Sequence, residues 1–416
     1  MGQVKYISKD YGTYDAFNID EYIKRGGFSG LKKAIEQGYE KTTDDVAKSG
    51  LQGRGGANYP TGKKLAQARE AVGDEERYVL CNADEGEPGT FKDKYLLKNG
   101  IYKVIEGIII AAYCAGANTG HIYVREEYTF MHKDIEYAIK QVYDKGFLGK
   151  DILSSGFNFE LSLFSGGGSY VCGEGFAMCE SIEGKSGRPR SKPPYVKQCG
   201  LHSKPTLVIN VETVSVIATL MQNGYETVLK YGVEDCPGTK MISVSGKVKN
   251  PGVYEVEFGT TVQNIIKIAG GIRNDKQPKF VQLGGASGTI VPYEKLNIPY
   301  TYSGMKQVKG SIGSGAIVVG DEDDSVIDYL SVVEDFFYHE SCGKCVPCRE
   351  GNRQLKMIMD RFKKKEGTLK DLKNYVRIVN ALDASLCGSG RTQITPFISA
   401  YTYFSDEFKG ALKGEE

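Results

Sequence analysis

Three cysteines fall within seven residues, in Ser341-Cys342-Gly343-Lys344-Cys345-Val346-Pro347-Cys348, and that spacing restricts the chain more than any other feature. A C-x2-C-x2-C run lets one loop wrap three thiolates around one face of a cubane, with a distant cysteine closing the fourth corner. Cys387, in Ser385-Leu386-Cys387-Gly388-Ser389-Gly390, is the candidate for that corner, because its small neighbours let backbone N–H groups approach cluster sulfurs. Zinc is the main rival. Its usual signature is two separated C-x2-C pairs or a Cys/His mixture, and no histidine follows at the expected distance. A set of reduced core cysteines is the blandest alternative, but it does not explain two consecutive steps carrying Gly and Pro. The expectation is a four-iron–four-sulfur cluster on Cys342, Cys345, Cys348 and Cys387. Cys81, Cys114, Cys172, Cys179, Cys199 and Cys236 have no such spacing; Cys81 and Cys114 lie in apolar runs and read as small core hydrophobes.

A chain of 416 residues suggests two or three domains. Lys+Arg 53 against Asp+Glu 52 gives a net charge of +1, which argues against bulk affinity for nucleic acid or anionic membrane. The longest apolar run, Val104 to Ala115, carries Glu106 and closes at Gly116, so it reads as a buried helix and not a membrane span. Met-Gly-Gln-Val-Lys-Tyr has no apolar stretch of signal-peptide type, and Tyr6 stands where myristoylation wants Ser or Thr. These features predict a cytoplasmic protein with no direct membrane insertion. In that setting clustered cysteines point to metal or redox chemistry.

Apolar periodicity predicts helix from Ile19 to Ile35, broken at Gly26-Gly27, with Thr42 to Asp45 capping another short helix. Strands are expected at Tyr78 to Cys81 and His121 to Val124, and helices at Tyr102 to Ala115 and Met131 to Tyr143. That alternation favours an α/β layer with a mostly parallel sheet. After the stretch Tyr170 to Glu183 come a basic, proline-containing loop at Lys185 to Lys197 and a helix from Asn210 to Met221. The texture changes near Cys236-Pro237-Gly238. Short strands at Met241 to Val248, Gly252 to Val256 and Phe280 to Leu283, with a helix near Val262 to Ala269, predict a small α+β module. Helices follow from Ser325.

Gly at 52 is well above ordinary usage, and it is clustered. Gly53-Arg54-Gly55-Gly56-Ala57-Asn58-Tyr59-Pro60-Thr61-Gly62 can aim backbone N–H groups at a phosphate, with Arg54 and Lys64 adding positive charge; a plain tight-turn loop is the alternative. It is neither a Walker loop nor a Rossmann fingerprint. Asn82-Ala83-Asp84-Glu85-Gly86-Glu87-Pro88-Gly89-Thr90 follows directly on a predicted strand, at the carboxyl end where α/β sheets bind ligands; a solvated acidic turn is the rival.

Together these segments resemble the NADH-binding FMN/iron–sulfur flavoprotein subunit of respiratory complex I and its relatives in soluble hydrogenases and formate dehydrogenases. The resemblance runs in order through both stretches above, then Tyr170-Val171-Cys172-Gly173-Glu174, Lys192-Pro193-Pro194, Asn210-Val211-Glu212-Thr213 and Ser341 to Gly351 with Cys387. It implies an N-terminal helical segment (1–48), an α/β FMN- and nicotinamide-binding domain (49–238), a β-grasp, soluble-ligand-binding-like domain (239–325) and a C-terminal helical bundle with the cluster (326–416). It also implies that Gly53, Arg54, Gly55, Gly56, Lys64, Asn82, Asp84, Glu85, Glu87, Tyr170, Gly173, Glu174, Asn210 and Thr213 surround FMN. Tyr59, Gly175, Lys192 and Tyr195, with Glu87, Tyr170 and Glu174, would face the nicotinamide dinucleotide. Glu87 and Tyr170 would lie nearest the chemistry, which is positioning of nicotinamide on flavin with no side-chain nucleophile.

Three positions depart from the family pattern. Gly175 stands where a second glutamate is usual. A carboxylate there repels a 2′-phosphate by about 3 kcal/mol at roughly 5 Å with an effective dielectric of about 20. Its loss predicts that NADP(H) is accepted, with Arg188, Arg190, Lys192 or Lys204 as phosphate partners; neutral drift is the alternative. Gln67 replaces an aromatic that helps sandwich adenine, and Ile209 replaces an asparagine beside the flavin. The implied function is the diaphorase subunit of a multisubunit oxidoreductase, in an electron-bifurcating hydrogenase or formate dehydrogenase complex. The implied partners are a thioredoxin-like 2Fe–2S subunit and a larger cluster-rich, hydrogenase or dehydrogenase subunit. The rivals are an electron-relay flavin subunit without nicotinamide binding, a complex I subunit proper, and a non-catalytic ligand- or partner-binding module.

Overall fold

The computed structural model describes residues 2–71 and 76–413. Its chain divides into two units, Met1–Gly86 with Phe91–Ile242 and Glu255–Gly259, and Glu87–Thr90 with Ser243–Tyr254 and Thr260–Glu416.

The first unit opens with α1 (Ile19–Lys24), α2 (Ser29–Gln37) and α3 (Tyr39–Lys48). Phe28, in a left-handed conformation, turns the chain between α1 and α2. The expected cap at Thr42 to Asp45 is instead inside α3, which starts earlier, behind Gly38. Thr42 Oγ donates back to the Gly38 carbonyl, so its hydroxyl is satisfied within the helix. After α4 (Thr61–Arg69) come β1 (Tyr78–Ala83), the long α5 (Lys92–Ala115) kinked at Gly100, β2 (Thr119–Val124), α6 (His132–Asp144), β3 (Glu160–Ser165), α7 (Gly175–Ile182), β4 (Thr206–Asn210) and α8 (Val211–Asn223). A two-rung hairpin, β5 (Gly232–Val233) with β6 (Cys236–Pro237), follows.

The four long strands form one parallel sheet in the order β3-β2-β1-β4. Successive strands run to one side of β1, then β4 returns to its other side. The strand order therefore reverses between β1 and β4, where open α/β sheets leave a crevice at the strand carboxyl ends. β3 and β4 escaped sequence reading: β4 is a five-residue apolar run that merges into the pattern of α8. Helices α5 and α8 pack along one another. At their crossing Gly107 is indispensable, since a Cβ there would lie 1.9 Å from the Val214 carbonyl oxygen. Two buried carboxylates tie the N-terminal segment down. Glu106 accepts from Tyr22 Oη and the Phe28 and Leu31 N–H groups, and Glu255 from the Ile7 and Ser8 N–H groups.

The second unit is built on a five-stranded mixed sheet, ordered β10-β9-β11-β7-β8. Its strands are β7 (Thr239–Gly246), β8 (Gly252–Glu257), β9 (Pro278–Leu283), β10 (Thr289–Pro292) and β11 (Ala316–Asp321), with α9 (Val262–Ile268) and α10 (Tyr302–Lys306) between them. Helices then follow: α11 (Val326–Glu340), α12 (Val346–Lys363), α13 (Leu369–Ala381), α14 (Gly388–Arg391), α15 (Ile394–Tyr403) and α16 (Ser405–Gly410). A Thr368/Asp371 capping box starts α13, and a core of Phe337, Phe362, Tyr375, Phe397 and Phe408 joins the helices. No helix among the described residues is long and apolar enough to cross a membrane.

Candidate functional site

The first site forms at the reversal between β1 and β4. Asn82 and Asn210 lie opposite each other in the last rung of those strands. Asn82 Nδ2 donates to the Gly173 carbonyl at 3.0 Å, and its Oδ1 accepts the Asp84 N–H. A Cβ at Gly173 would come 3.6 Å from the Asp84 carbonyl, and one at Gly86 would come 3.2 Å from the Tyr170 ring. Asn82, Asp84, Gly86, Tyr170 and Gly173 thus share one rim, drawn from two segments far apart in sequence.

The first glycine loop closes the other side. The Gly53 N–H donates to the Tyr59 carbonyl, and the Arg54 N–H to Thr213 Oγ at 2.9 Å. A Cβ at Gly55 would stand 3.1 Å from Asn210 Cβ, so glycine allows the loop to lie against the end of β4. Gly56 has φ 116°, a conformation that suits glycine. Lys64 is half-buried, donates to the Val208 carbonyl, and is pushed down to about 8 by the loss of solvent around its amine. Arg54 turns inward: its guanidinium stacks 4.5 Å over the Phe258 ring.

Behind this rim runs a chain of buried charges that sequence reading missed. Asn210 Nδ2 donates to Asp93 at 2.8 Å, Asp93 pairs with Lys92 at 2.7 Å, and Lys92 pairs with Glu212 at 3.1 Å. Glu212 also binds Lys240 and accepts the Met241 N–H. Despite its burial, Glu212 is held below the usual carboxylate range by Lys240 and Lys92. Glu85, a candidate for the flavin rim, is directed elsewhere. Its carboxylate accepts the Asp93 and Lys94 N–H groups and so caps α5, and burial with the nearby Asp93 pushes it up to about 7.

The dinucleotide candidates form a neighbouring group. Glu174 caps α7 by accepting the Phe176 and Ala177 N–H groups, and it pairs with Lys192 at 2.8 Å. A Cβ at Gly175 would meet Val196 at 3.2 Å. Gln67 accepts from both Tyr59 Oη and Lys197 Nζ at 2.9 Å, linking Tyr59 to the loop that carries Tyr195. Tyr59 and Tyr195 are exposed. Arg190 is engaged by Glu180 and Glu183, whereas Arg188 is exposed. Glu87 belongs to the second unit, where the Ser287 N–H donates to it at 2.9 Å and burial raises its carboxyl.

The second site lies in the helices of the second unit. Cys348 stands in the first turn of α12, behind Pro347, and its buried thiol is pushed up by burial, partly offset by Ser341. It also feels Cys345, Cys387 and Cys342, which places those three thiols in its neighbourhood. The Leu386 N–H donates to Cys345 Sγ at 3.5 Å. Among the described residues no three Cys, His, Asp or Glu groups stand close enough to grip a single metal ion. A cubane, whose ligands are spread over its corners, does not require that they do.

Both sites fit the groups that the motifs imply. Thr61 Oγ is buried with no hydrogen-bond partner among the described residues, alongside the glycine loop, and Ser385 Oγ is likewise buried beside the cysteines. A parallel α/β unit with a glycine-lined crevice, joined to a four-thiol helical unit, defines a flavin- and iron–sulfur-dependent oxidoreductase subunit.

Comparison with known proteins agrees. Residues 46–219 match the Nuo51 FMN-binding domain, 241–292 the SLBB domain, and 328–411 the NADH-ubiquinone oxidoreductase-F iron-sulfur binding region. The corresponding chain of the NADH-quinone oxidoreductase of Aquifex aeolicus is 43% identical over 375 residues, 90% of this chain and 86% of the relative. The HndC chain of the NADP-reducing hydrogenase of Solidesulfovibrio fructosivorans is 38% identical over 409 residues, 98% of this chain and 83% of the relative. A crystal structure of an NAD+-reducing [NiFe]-hydrogenase in the H2-reduced state superposes with a TM-score of 0.88 at 31% identity, covering 100% of this chain and 68% of that one. The chain belongs to the family formed by this NADH-quinone oxidoreductase component and its hydrogenase relatives, with an FMN-binding domain and a 4Fe–4S-binding region.

Proposed function

We propose that this chain is the diaphorase subunit of a cytoplasmic hydrogenase or formate dehydrogenase complex, exchanging electrons between NAD(P)H and partner subunits. The observation that carries the reading is the convergence of Asn82, Asp84, Gly173, Gly55, Asn210 and Thr213 on the crevice between β1 and β4. Bound FMN supplies hydride acceptance there, and a 4Fe–4S cluster on Cys342, Cys345, Cys348 and Cys387 supplies one-electron transfer. The chain's own groups do the positioning. Gly53 to Gly56 and Lys64 receive the phosphate end, Asn82, Asp84 and Asn210 orient the ring, and Tyr170 and Glu174 border the nicotinamide side. The domain division 1–48, 49–238, 239–325 and 326–416 goes with this reading, the third part as a β-grasp fold and the fourth as a helical bundle; residues 1, 72–75 and 414–416 lie outside the described residues. A thioredoxin-like 2Fe–2S subunit and a larger cluster-rich subunit are the partners, and electron bifurcation is a role for the assembled complex.

Anaerobic purification followed by a visible spectrum tests the core of this reading. Flavin bands with a broad brown shoulder are expected, and a colourless protein rules it out.

The NADP(H) reading starts from Gly175, which offers no carboxylate to repel a 2′-phosphate. With Arg190 and Lys192 already paired to carboxylates, exposed Arg188 becomes the preferred 2′-phosphate partner. Steady-state turnover with both nucleotides decides: Arg188→Ala raises KM for NADPH alone, and negligible wild-type NADPH activity ends the idea.

A further inference from the structure

One of the four cysteines is surrounded differently from the others. Cys348 is buried, whereas Cys342, Cys345 and Cys387 are partly exposed. Two carboxamides donate to its sulfur, Asn352 Nδ2 at 3.6 Å and Gln393 Nε2 at 4.0 Å, and Ser341 Oγ shares a hydrogen bond with it at 3.3 Å. Asn352 and Gln393 are 0% and 3% exposed. Asn352 lies one turn after Cys348 on α12, where a helical side chain leans back over the residue four earlier. Its amide also donates to the Phe337 carbonyl at 3.2 Å, so the nitrogen and not the oxygen must face that side. Gln393 approaches from just before α15, forty-five residues away in sequence. Neither residue is part of the cysteine motif, and both are uncharged.

We infer that Asn352 and Gln393 are positioning residues that set the cluster's reduction potential through N–H donation to the Cys348 sulfur. The inference rests on the reading that Cys348 is a cluster ligand. Sulfur becomes more negative as a cluster gains an electron, and a donor aimed at it stabilises that state more than the oxidised one. The two carboxamides therefore raise the potential and ease electron entry. Being neutral and non-titrating, they do so equally at any pH where the protein is folded. The shorter donor, Asn352, has the larger share.

The test uses the full chain, purified or reconstituted anaerobically, as Asn352→Leu, Gln393→Leu and the double variant. These changes remove donors at nearly constant shape and unchanged charge. Iron and sulfide analysis gives cluster content, and a mediated titration followed by electron paramagnetic resonance gives the midpoint potential. The expected result is a lower potential in Asn352→Leu, a smaller drop in Gln393→Leu, the largest in the double variant, and the same shifts at mildly acidic and mildly alkaline pH. Clusters retained at wild-type potential in both single variants overturn the proposal. So does loss of the cluster in both, which makes the residues supports only; where one variant loses it, the potential of the other decides. Wild-type protein without iron and sulfide sinks the ligand assignment itself, and this proposal with it.

Discussion

The two sites solve the same problem, holding a redox group, with opposite materials. The crevice between β1 and β4 is backed by Asn210 and a run of acidic and basic groups of alternating sign, Asp93–Lys92–Glu212–Lys240, all linked within the protein. The cysteine site is lined by thiols, a hydroxyl and carboxamides, and several of its buried oxygens, in Ser385, Asn352 and Gln393, have no partner among the described residues. The charged backing of the first is organised before any cofactor arrives. The second is completed by what it binds, so its stability is tied to metal occupancy.

The sharpest way to break that contrast is Cys348→Ser. It is expected to abolish the cluster, seen as loss of iron and of the electron paramagnetic resonance signal, while flavin content stays near wild type. A parallel loss of flavin would show that the sites are not independently built. Next in size is Glu212→Leu, which takes from buried Lys240 its carboxylate partner and leaves Lys92 with Asp93 alone. A cost of about 3–5 kcal/mol is expected for a buried pair broken on one side, read as a lower urea midpoint with the cluster signal retained.

A pH dependence separates the two regions further. Glu85 sits at about 7 because of burial and Asp93. A carboxyl raised above its unfolded value keeps its proton in the folded state while the unfolded chain has lost it. Its stability contribution is therefore greatest below about pH 4.5, falls as pH rises toward about 7, and is level above that. Urea midpoints between about pH 5 and 8 are expected to fall by the equivalent of roughly 2 kcal/mol, and Glu85→Gln to flatten that slope. An unchanged slope in the variant assigns the dependence to another group. The smallest effect is Thr368→Ala at the start of α13, about 1 kcal/mol from a lost cap, measured as a lower melting temperature of apo-protein and a smaller change once the cluster is bound.

The two regions also differ in how legible they are from sequence. The candidate cluster cysteines announce themselves because a cluster demands close spacing, and Asn82 and Asp84 because they follow an apolar strand. The Lys92–Glu212–Lys240 chain has no such local mark. It joins residues distant in sequence, and each reads by itself as a solvated charge. Glu212 stands inside a recognised motif, yet nothing local assigns it a role. β10 and β11 escape notice because four to six residues between glycines carry little periodicity. Glu85 and Glu87 look alike in an acidic turn, but one caps α5 and the other is held by Ser287, a distinction made only by tertiary neighbours.

The pairing of β1 with β4 also sets a schedule for the growing polypeptide. Asn82 meets Asn210 across more than a hundred intervening residues, and the notch at Gly107 receives Val214 from equally far downstream. While the ribosome is still making the middle of the chain, β1 has a bare edge and α5 an uncovered stripe of Ile and Ala. The crevice can close only after β4 and α8 have left the exit tunnel, about midway through synthesis. Chaperone capture at the β1 edge and the α5 stripe is expected to persist until that moment and then fall.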